Sequence, residues 1–416
     1  MSNKILYIGR ALSGGRIYLT LKDLITHLHI LGLSRSGKSV WLYHVILELL
    51  RLGKQFLLLD PHGSLYRDVV SYLAARWYTR RIVLFDPSYE KRIVGFNPFL
   101  TSYTDEARIM TKAERMCQAT LKVFGLKNSD QFGNIERWLR SIYYVILECR
   151  LTICELRYFI YWQYEQERNQ IIDDLSSDAV REDLREFYAT GKAEFNKNIS
   201  STRNKLQRFT HPHMRRIMGL RENNVELDSI VKGNYNLLCN LQAAEDDLAG
   251  RENMKVLGTL MISELWEITR KRTRPRELYL IVDEMQEFLT PDLAQMLPQS
   301  AKYGLHCILA HQHPGQLTAE IEVAIKNAQT KIFFSTEEKP KKQKQFSLRL
   351  ADHTTVEAQA PEIRMLNVRP QRVEQYVAYL TQFFMTADQV DRRLPKLTSG
   401  SAVSPDRELT EEDFIR

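Results

Sequence analysis

Eight consecutive residues, Gly32-Leu33-Ser34-Arg35-Ser36-Gly37-Lys38-Ser39, spell a complete GxxxxGKS phosphate loop. Glycines let such a backbone wrap closely, so that successive N–H groups and a helix N-terminus point at an anion. Residues Gly32, Ser34, Arg35, Ser36, Gly37, Lys38, Ser39 and Val40 would then surround the phosphates. Lys38 would reach the β- and γ-phosphates, and the Ser39 hydroxyl would complete the shell of a Mg²⁺ ion. A second stretch, Leu278 to Glu284, is an apolar run ending in two carboxylates. Asp283 suits a hold on Mg²⁺ through water, and Glu284 suits the general base that polarises an attacking water. Adjacent acids after a strand are common, and they gain weight only beside the phosphate loop. A third run, His306 to Ala310, ends at His311-Gln312-His313. A polar group one strand over from the carboxylates can touch the γ-phosphate or the lytic water, and Gln312 takes that sensor role. The paired histidines (His27 with His29, His211 with His213, His311 with His313) lack a cysteine or third acidic ligand at a zinc-like spacing. No guanine-reading Asn-Lys-x-Asp string occurs, which favours ATP.

Chemistry of this kind needs strands that end side by side. Leu28, Ile30 and Leu31 lead into the loop, and Val40, Leu42, Val45, Ile46, Leu49 and Leu50 leave it with helical spacing. That strand–loop–helix context gives the motif its meaning. Phe56 to Leu59 and Ile82 to Phe85 are unbroken apolar runs, the pattern of strands covered on both faces. Their alternation with helical patterns predicts a parallel α/β sheet. Before the loop, Ile5 to Ile8 and Ile17 to Leu19 flank a Gly14-Gly15 turn and read as short strands. From about 101 to 224 strand patterns vanish and amphipathic helical ones dominate, such as Ile135 to Leu147 and Leu151 to Tyr164. Strand patterns return at Tyr235 to Leu241, Leu278 to Val282, His306 to Ala310 and Lys331 to Ser335. The expected organisation is residues 1–100 as the first part of an α/β domain, 101–224 as an all-α insertion and 225–340 as the second part. Residues 341–416 form a C-terminal extension whose end, from Thr398, reads as poorly ordered.

The 416 residues carry a formal charge of +7 and a pI near 9.0, a mild lean towards a polyanionic partner. Five scattered cysteines without a CxxC pair argue against a disulfide framework and read as buried thiols in a reducing cytoplasm. The most apolar stretch, Val40 to Leu50, is broken by His44 and Glu48 and is too short to span a bilayer. No targeting segment is visible at Met1 to Arg10.

Several strings, taken in order, resemble the HerA/FtsK superfamily of ring ATPases, closest to the conjugative (type IV secretion) coupling proteins of the VirD-four/TraG type. They are His29-Ile30-Leu31-Gly32 before the loop, Leu59-Asp60-Pro61-His62-Gly63, Phe85-Asp86-Pro87 and Gly95-Phe96-Asn97-Pro98-Phe99. Val282-Asp283-Glu284-Met285-Gln286-Glu287-Phe288, Tyr303-Gly304-Leu305 and Ala310-His311-Gln312 complete the set. The resemblance implies a P-loop NTPase of the RecA-like ASCE type with an inserted all-helical domain. It implies a homo-hexamer that threads DNA through a central pore and hydrolyses Mg·ATP at subunit boundaries. An arginine from the neighbour usually completes that site in an Arg-Lys-Tyr-Gly-like segment. This chain has Ala301-Lys302-Tyr303-Gly304, which leaves Lys302 as a candidate substitute, though a point charge replaces a planar fork poorly. Family members carry transmembrane helices or a small barrel before the loop, and the roughly thirty residues here have room for neither. The expectation is a minimal cytoplasmic relative, brought to a membrane complex by a partner such as a relaxase or a secretion channel.

Lys197, Arg203, Lys205, Arg208, Arg215 and Arg216, with Arg221, lie in a segment with few acids. They suit a phosphate-contacting face or a solvated helix face equally. Lys339 to Lys344 could line a pore or face solvent, and Arg270 to Arg276 reads as a surface connection. With no base-reading signature, DNA binding would be backbone-directed. The leading expectation is an ATP-driven DNA translocase. Competing readings are a coupling ATPase that recruits protein substrates to a secretion channel, a slow nucleotide-gated assembly scaffold, a packaging motor and the motor of a DNA-end-processing pair.

Overall fold

The computed structural model describes residues 5–123, 132–243, 248–336, 339–363 and 365–396. The tail expected to be poorly ordered, Thr398 to Arg416, lies outside the described residues. Eleven strands form one sheet: β1 (Ile5–Ala11), β2 (Arg16–Thr20), β3 (Leu28–Leu31), β4 (Gln55–Asp60), β5 (Ile82–Phe85), β6 (Asn236–Asn240), β7 (Leu278–Val282), β8 (Leu305–His311), β9 (Thr330–Phe333), β10 (Gln345–Arg349) and β11 (Thr355–Gln359). Their spatial order is β2-β1-β11-β10-β9-β3-β8-β7-β4-β6-β5. From β9 to β5 every pairing is parallel, and from β9 out to β2 every pairing is antiparallel.

The apolar runs explain the parallel half. β3, β4, β6, β7 and β8 are buried at every position, as strands covered on both faces must be. Helix α1 (Leu21–Ile25) precedes β3, helix α2 (Lys38–Arg51) follows the phosphate loop, and helix α3 (Ser64–Arg76) follows β4. Trp41, Leu42, Val45, Ile46 and Leu49 put the apolar stripe of α2 against the sheet, each 1% exposed or less. At about 1.5–3 kcal/mol per buried side chain, this stripe is a major anchor of the loop. Trp41 Nε1 also donates to the Ile8 carbonyl (3.1 Å), which ties α2 to β1.

The antiparallel half was only partly legible. The sequence reading placed 341–416 outside the ATPase domain as an extension. Instead, β10 and β11 continue the same sheet: Leu348 pairs with Ile332 of β9, and Arg10 of β1 pairs with Gln359 of β11. The N-terminal hairpin and the C-terminal strands therefore share one sheet edge. A side chain at Gly9 would meet the Gln359 carbonyl oxygen at 2.4 Å, so this pairing needs a glycine. Phe346 and Leu348 alternate with Ser347 and Arg349 along a five-residue strand, a period too brief to stand out in a polar stretch.

The chain divides into two compact units, residues 1–94 with 224–387, and residues 95–223 with 388–416. The first holds the sheet. The second has no strand among its described residues. Helices Glu106–Val123 and Phe132–Glu148 pack together in it, with Tyr143 against Phe99 (ring centroids 5.2 Å apart) and the Thr120 hydroxyl 3.0 Å from the Tyr143 hydroxyl. Arg168 is fully buried there, its guanidinium carbon 4.1 Å from the Tyr188 ring centroid and one nitrogen donating to the Tyr158 carbonyl. Among the described residues no helix is long and apolar enough to cross a membrane.

Candidate nucleotide-binding site

The phosphate loop joins β3 to α2, and its shape follows from its neighbours. Gly32 N–H donates to the His311 carbonyl (3.2 Å) and Leu33 N–H to the Ser335 carbonyl (2.9 Å), so strands on both sides of β3 hold the loop's first turn. Gly37 has φ +110°, a left-handed conformation that L side chains rarely adopt. It turns the chain so that α2 begins at Lys38. The first N–H groups of that helix have no intrahelical acceptor, and the Ser36 hydroxyl is buried without a partner. Unsatisfied donors around a glycine-rich turn fit a phosphate chain.

Side chains distant in sequence meet at the loop. Because β8 lies between β3 and β7, the sensor position ends up beside both the loop and the carboxylates. Lys38 is 4% exposed, and its ammonium donates to the Gly32 carbonyl (2.9 Å) and to Glu284 Oε1 (3.2 Å). The Ser39 hydroxyl donates to Asp283 Oδ2 at 2.9 Å. Gln312 Nε2 donates to Glu284 Oε1 (2.9 Å), while its amide oxygen accepts from Ser34 Oγ (3.1 Å). Gln286 Nε2 donates to Glu284 Oε2 (2.7 Å). Glu284 adopts a left-handed φ of +54°, which turns its carboxylate out of the strand direction taken by Asp283. Arg35 sits exposed on the loop at φ +63°, and Val40 is half-buried in the first turn of α2.

Environment separates the two acids. Burial, together with the charges of Asp60 and Glu284, pushes Asp283 up to about 6, against the pull of Lys38 and Ser39. Burial also raises Glu284, but Gln286, Lys38 and Gln312 together hold it below its ordinary value, so it is ionised at neutral pH. A carboxylate paired with a serine hydroxyl suits a divalent cation, and a second, hydrogen-bonded carboxylate suits a base. Mg²⁺ takes much of its shell from phosphates and water. Among the described residues no group of three His, Cys, Asp or Glu side chains comes together as a metal cluster.

Residues 277–393 match the family described as "TraM recognition site of TraD and TraG". The matched segment, short of half the chain, supplies β7 and β8, and hence Asp283, Glu284 and Gln312, while the phosphate loop lies upstream of it. The fold is shared with several solved structures at low identity. The bacterial conjugative coupling protein TrwB, as an N-terminally shortened unbound form, is 15% identical with a TM-score of 0.59, over 88% of this chain and 91% of that one. TrwB in complex with ADP and Mg²⁺ is 15% identical with a TM-score of 0.56, over 85% and 88%. VirB4 of Thermoanaerobacter pseudethanolicus is 14% identical with a TM-score of 0.55, over 88% and 97%. No curated protein sequence matches the chain.

The remaining sequence candidates behave differently. Within the matched segment, Lys302 is exposed and its ammonium lies 4.9 Å from the Tyr303 ring centroid. In the helical unit, Lys197 is exposed. Arg203 instead donates to Asn196 (2.7 Å) and lies over the Tyr161 and Phe195 rings. Arg216 forms a two-pronged pair with Asp391 (2.8 and 2.6 Å), and Arg221 pairs with Glu155 (2.7 Å). Arg208 and Arg215 are half-buried, and Arg215 helps hold the Cys154 thiol. The Lys205 side chain lies outside the described residues. The segment is therefore not a row of free cations.

Sequence reasoning missed three supports of the site. Asp60, ending β4, is fully buried and accepts from the His62 and Tyr66 N–H groups (3.0 and 2.8 Å). Gln286 lies two residues past Glu284, whose carboxylate it contacts. His29 and His311 stack (centroids 4.9 Å apart) with their Nε2 atoms 2.7 Å apart, linking β3 to β8 directly below the loop. Burial lowers His311 to about 4, so it is neutral at physiological pH. The sequence did flag these histidines as a pair of strings, but only strand order brings them together.

Proposed function

We propose that the chain is a Mg²⁺-dependent ATPase that works as a homo-hexameric ring and moves DNA at the coupling step of conjugation or type IV secretion. The observation that carries this reading is the meeting of Lys38 and Ser39 with Glu284 and Asp283, across 246 and 244 residues of sequence. Bound Mg·ATP supplies the transferable phosphoryl group and the cation that neutralises its charge. Lys38 is tied here to Gly32 and Glu284, and would exchange its Glu284 contact for a bound phosphate. That release would free Glu284 Oε1 for a water proton, while Gln312 and Gln286 keep the carboxylate oriented. Ser39 and Asp283 would hold the cation.

The DNA and ring parts rest on the likeness to the conjugative coupling protein and on the basic pI of 9.0. Contacts would be to the backbone, so binding should weaken steeply with salt. Lys302, free at the surface, is the candidate for reaching a neighbouring subunit's nucleotide. A second reading keeps the ATPase but makes its cargo a protein delivered to a secretion channel. The family description favours this, since it concerns recognition of a protein, TraM. A relaxase or channel component, or a partner of the TraM kind, would then bring the chain to the membrane.

DNA-stimulated ATP hydrolysis by the purified chain, lost in Lys38→Ala, tests the first reading. Turnover that DNA leaves unchanged at every salt concentration would sink it. Partner capture that survives salt sufficient to strip DNA favours the second.

A further inference from the structure

The lysine-rich strap before β10 (Lys339-Pro340-Lys341-Lys342-Gln343-Lys344) reads in sequence as pore lining or solvent-facing charge. The structure lays it on the phosphate loop. Lys344 N–H donates to the Ser36 carbonyl (3.0 Å), and the Lys344 carbonyl accepts from Ala360 N–H (2.8 Å), fixing the strap between the loop and the segment after β11. A Cβ at Gly37 would come within 3.2 Å of both Cα and Cγ of Lys344, so backbone and side chain of Lys344 press on the turn. Lys344 holds φ +64°, a left-handed conformation unusual for a lysine and costly unless the surroundings impose it. Its ammonium has no hydrogen-bond or ion-pair partner among the described residues, whereas Lys341 is engaged with Glu357 at 2.6 Å.

The polarity of the site says what this cation faces. The carboxylates and Gln312 stand on the β8 and β7 side of β3, which fixes the terminal phosphate there. The nucleoside end must leave towards the other flank, over β9 and β10, where the strap lies. Resting on the nucleotide reading above, we infer that the Lys339–Lys344 strap forms the nucleoside end of the site, with the Lys344 ammonium on the α-phosphate of a bound nucleoside di- or triphosphate. Lys38 then serves the β- and γ-phosphates and Lys344 the α-phosphate.

Titration calorimetry of the full chain with ADP and Mg²⁺ tests this. Lys344→Gly and Lys344→Asn both tolerate the left-handed turn while removing the charge. Each should weaken ADP binding by roughly 5- to 30-fold, the effect of losing one charge-assisted hydrogen bond. Lys344→Arg should retain most of the affinity. Lys342→Ala, on the same strap but exposed, should change it by no more than about twofold. Thermal melting of Lys344→Gly should match or exceed the parent chain, which shows that the loss is not unfolding. Unchanged ADP affinity in the Gly and Asn variants, or an equal loss in Lys342→Ala, overturns the inference while leaving the nucleotide reading intact. Absence of ADP binding by the parent chain, or equal binding by Lys38→Ala, overturns both.

Discussion

The loop-facing edge of the sheet and the basic stretch from Lys197 to Arg221 both read, in sequence, as clusters of charge near apolar runs. Folding treats them in opposite ways. At the sheet edge, Lys38, Ser39, Asp283, Glu284 and Gln312 are brought together from three strand ends, largely buried and bonded to one another. In the helical unit, Arg203 lies on aromatic rings, and Arg216 and Arg221 are matched by Asp391 and Glu155. Charges at the ends of adjacent parallel strands converge because the strands do. Charges in the helical unit spread over a wide arc, and several of them find separate partners.

The sharpest attack on this comparison is at the base. Glu284→Gln keeps the hydrogen bonds from Gln312 and Lys38 available but removes the proton acceptor. Steady-state hydrolysis should fall by roughly 10²- to 10⁴-fold with nucleotide binding retained. If Glu284→Gln turned over at the parental rate, the site would not be organised as described.

Asp283 gives the next largest effect, on stability rather than rate. Its folded-state value is raised to about 6, so the ionised form is penalised in the metal-free fold. The penalty is absent below its unfolded value near 4, grows between pH 4 and 6, and is complete above about 6. Asp283→Asn should therefore stabilise the metal-free chain at pH 7 by roughly 1 to 3 kcal/mol, with the gain vanishing near pH 4. Denaturant melts at the two pH values check the sign, and added Mg²⁺ should help only the parent chain.

Effects in the helical unit should be much smaller. A double-mutant cycle on Arg216 and Asp391, which are partly exposed, should give a coupling of about 0.2 to 1 kcal/mol. If DNA affinity drops with Arg216→Ala far more than this stability change explains, the pairing is one that DNA displaces. Lys197→Ala, at an exposed position, should leave the melting curve alone. If the segment lies on DNA, the same change should lower the slope of log affinity against log salt by about one. No change in slope would leave the helical face solvated, which sharpens the contrast with the sheet edge.

Much of the site could be read before any coordinates. The GxxxxGKS string carries its own geometry, because glycine at position 37 and an amide-rich helix start are local properties. The runs Leu278 to Val282 and His306 to Ala310 announced buried strands through unbroken apolarity, and their polar ends named Asp283, Glu284 and Gln312. Less visible were residues whose roles depend on who stands beside them. Gln286 and Asp60 look like ordinary loop and strand-end polars. His29 and His311 are separated by 282 residues, and only the pairing of β3 with β8 stacks them. The strands after residue 340 escaped notice because five-residue alternations in a polar stretch resemble surface loop.

The sequence by itself determined the chemistry: which residues can cradle phosphate, hold a cation and take a proton, and that a parallel sheet must carry them. Those are matters of side-chain type and of patterns spanning a few residues. Folding in three dimensions set the order of the strands, which puts Gln312 between the loop and the carboxylates, and the extension of the sheet by β10, β11 and the N-terminal hairpin. It also decided which cations remain free, since a charge on a helix or strap is committed or available according to the neighbour that folding brings within about 4 Å of it.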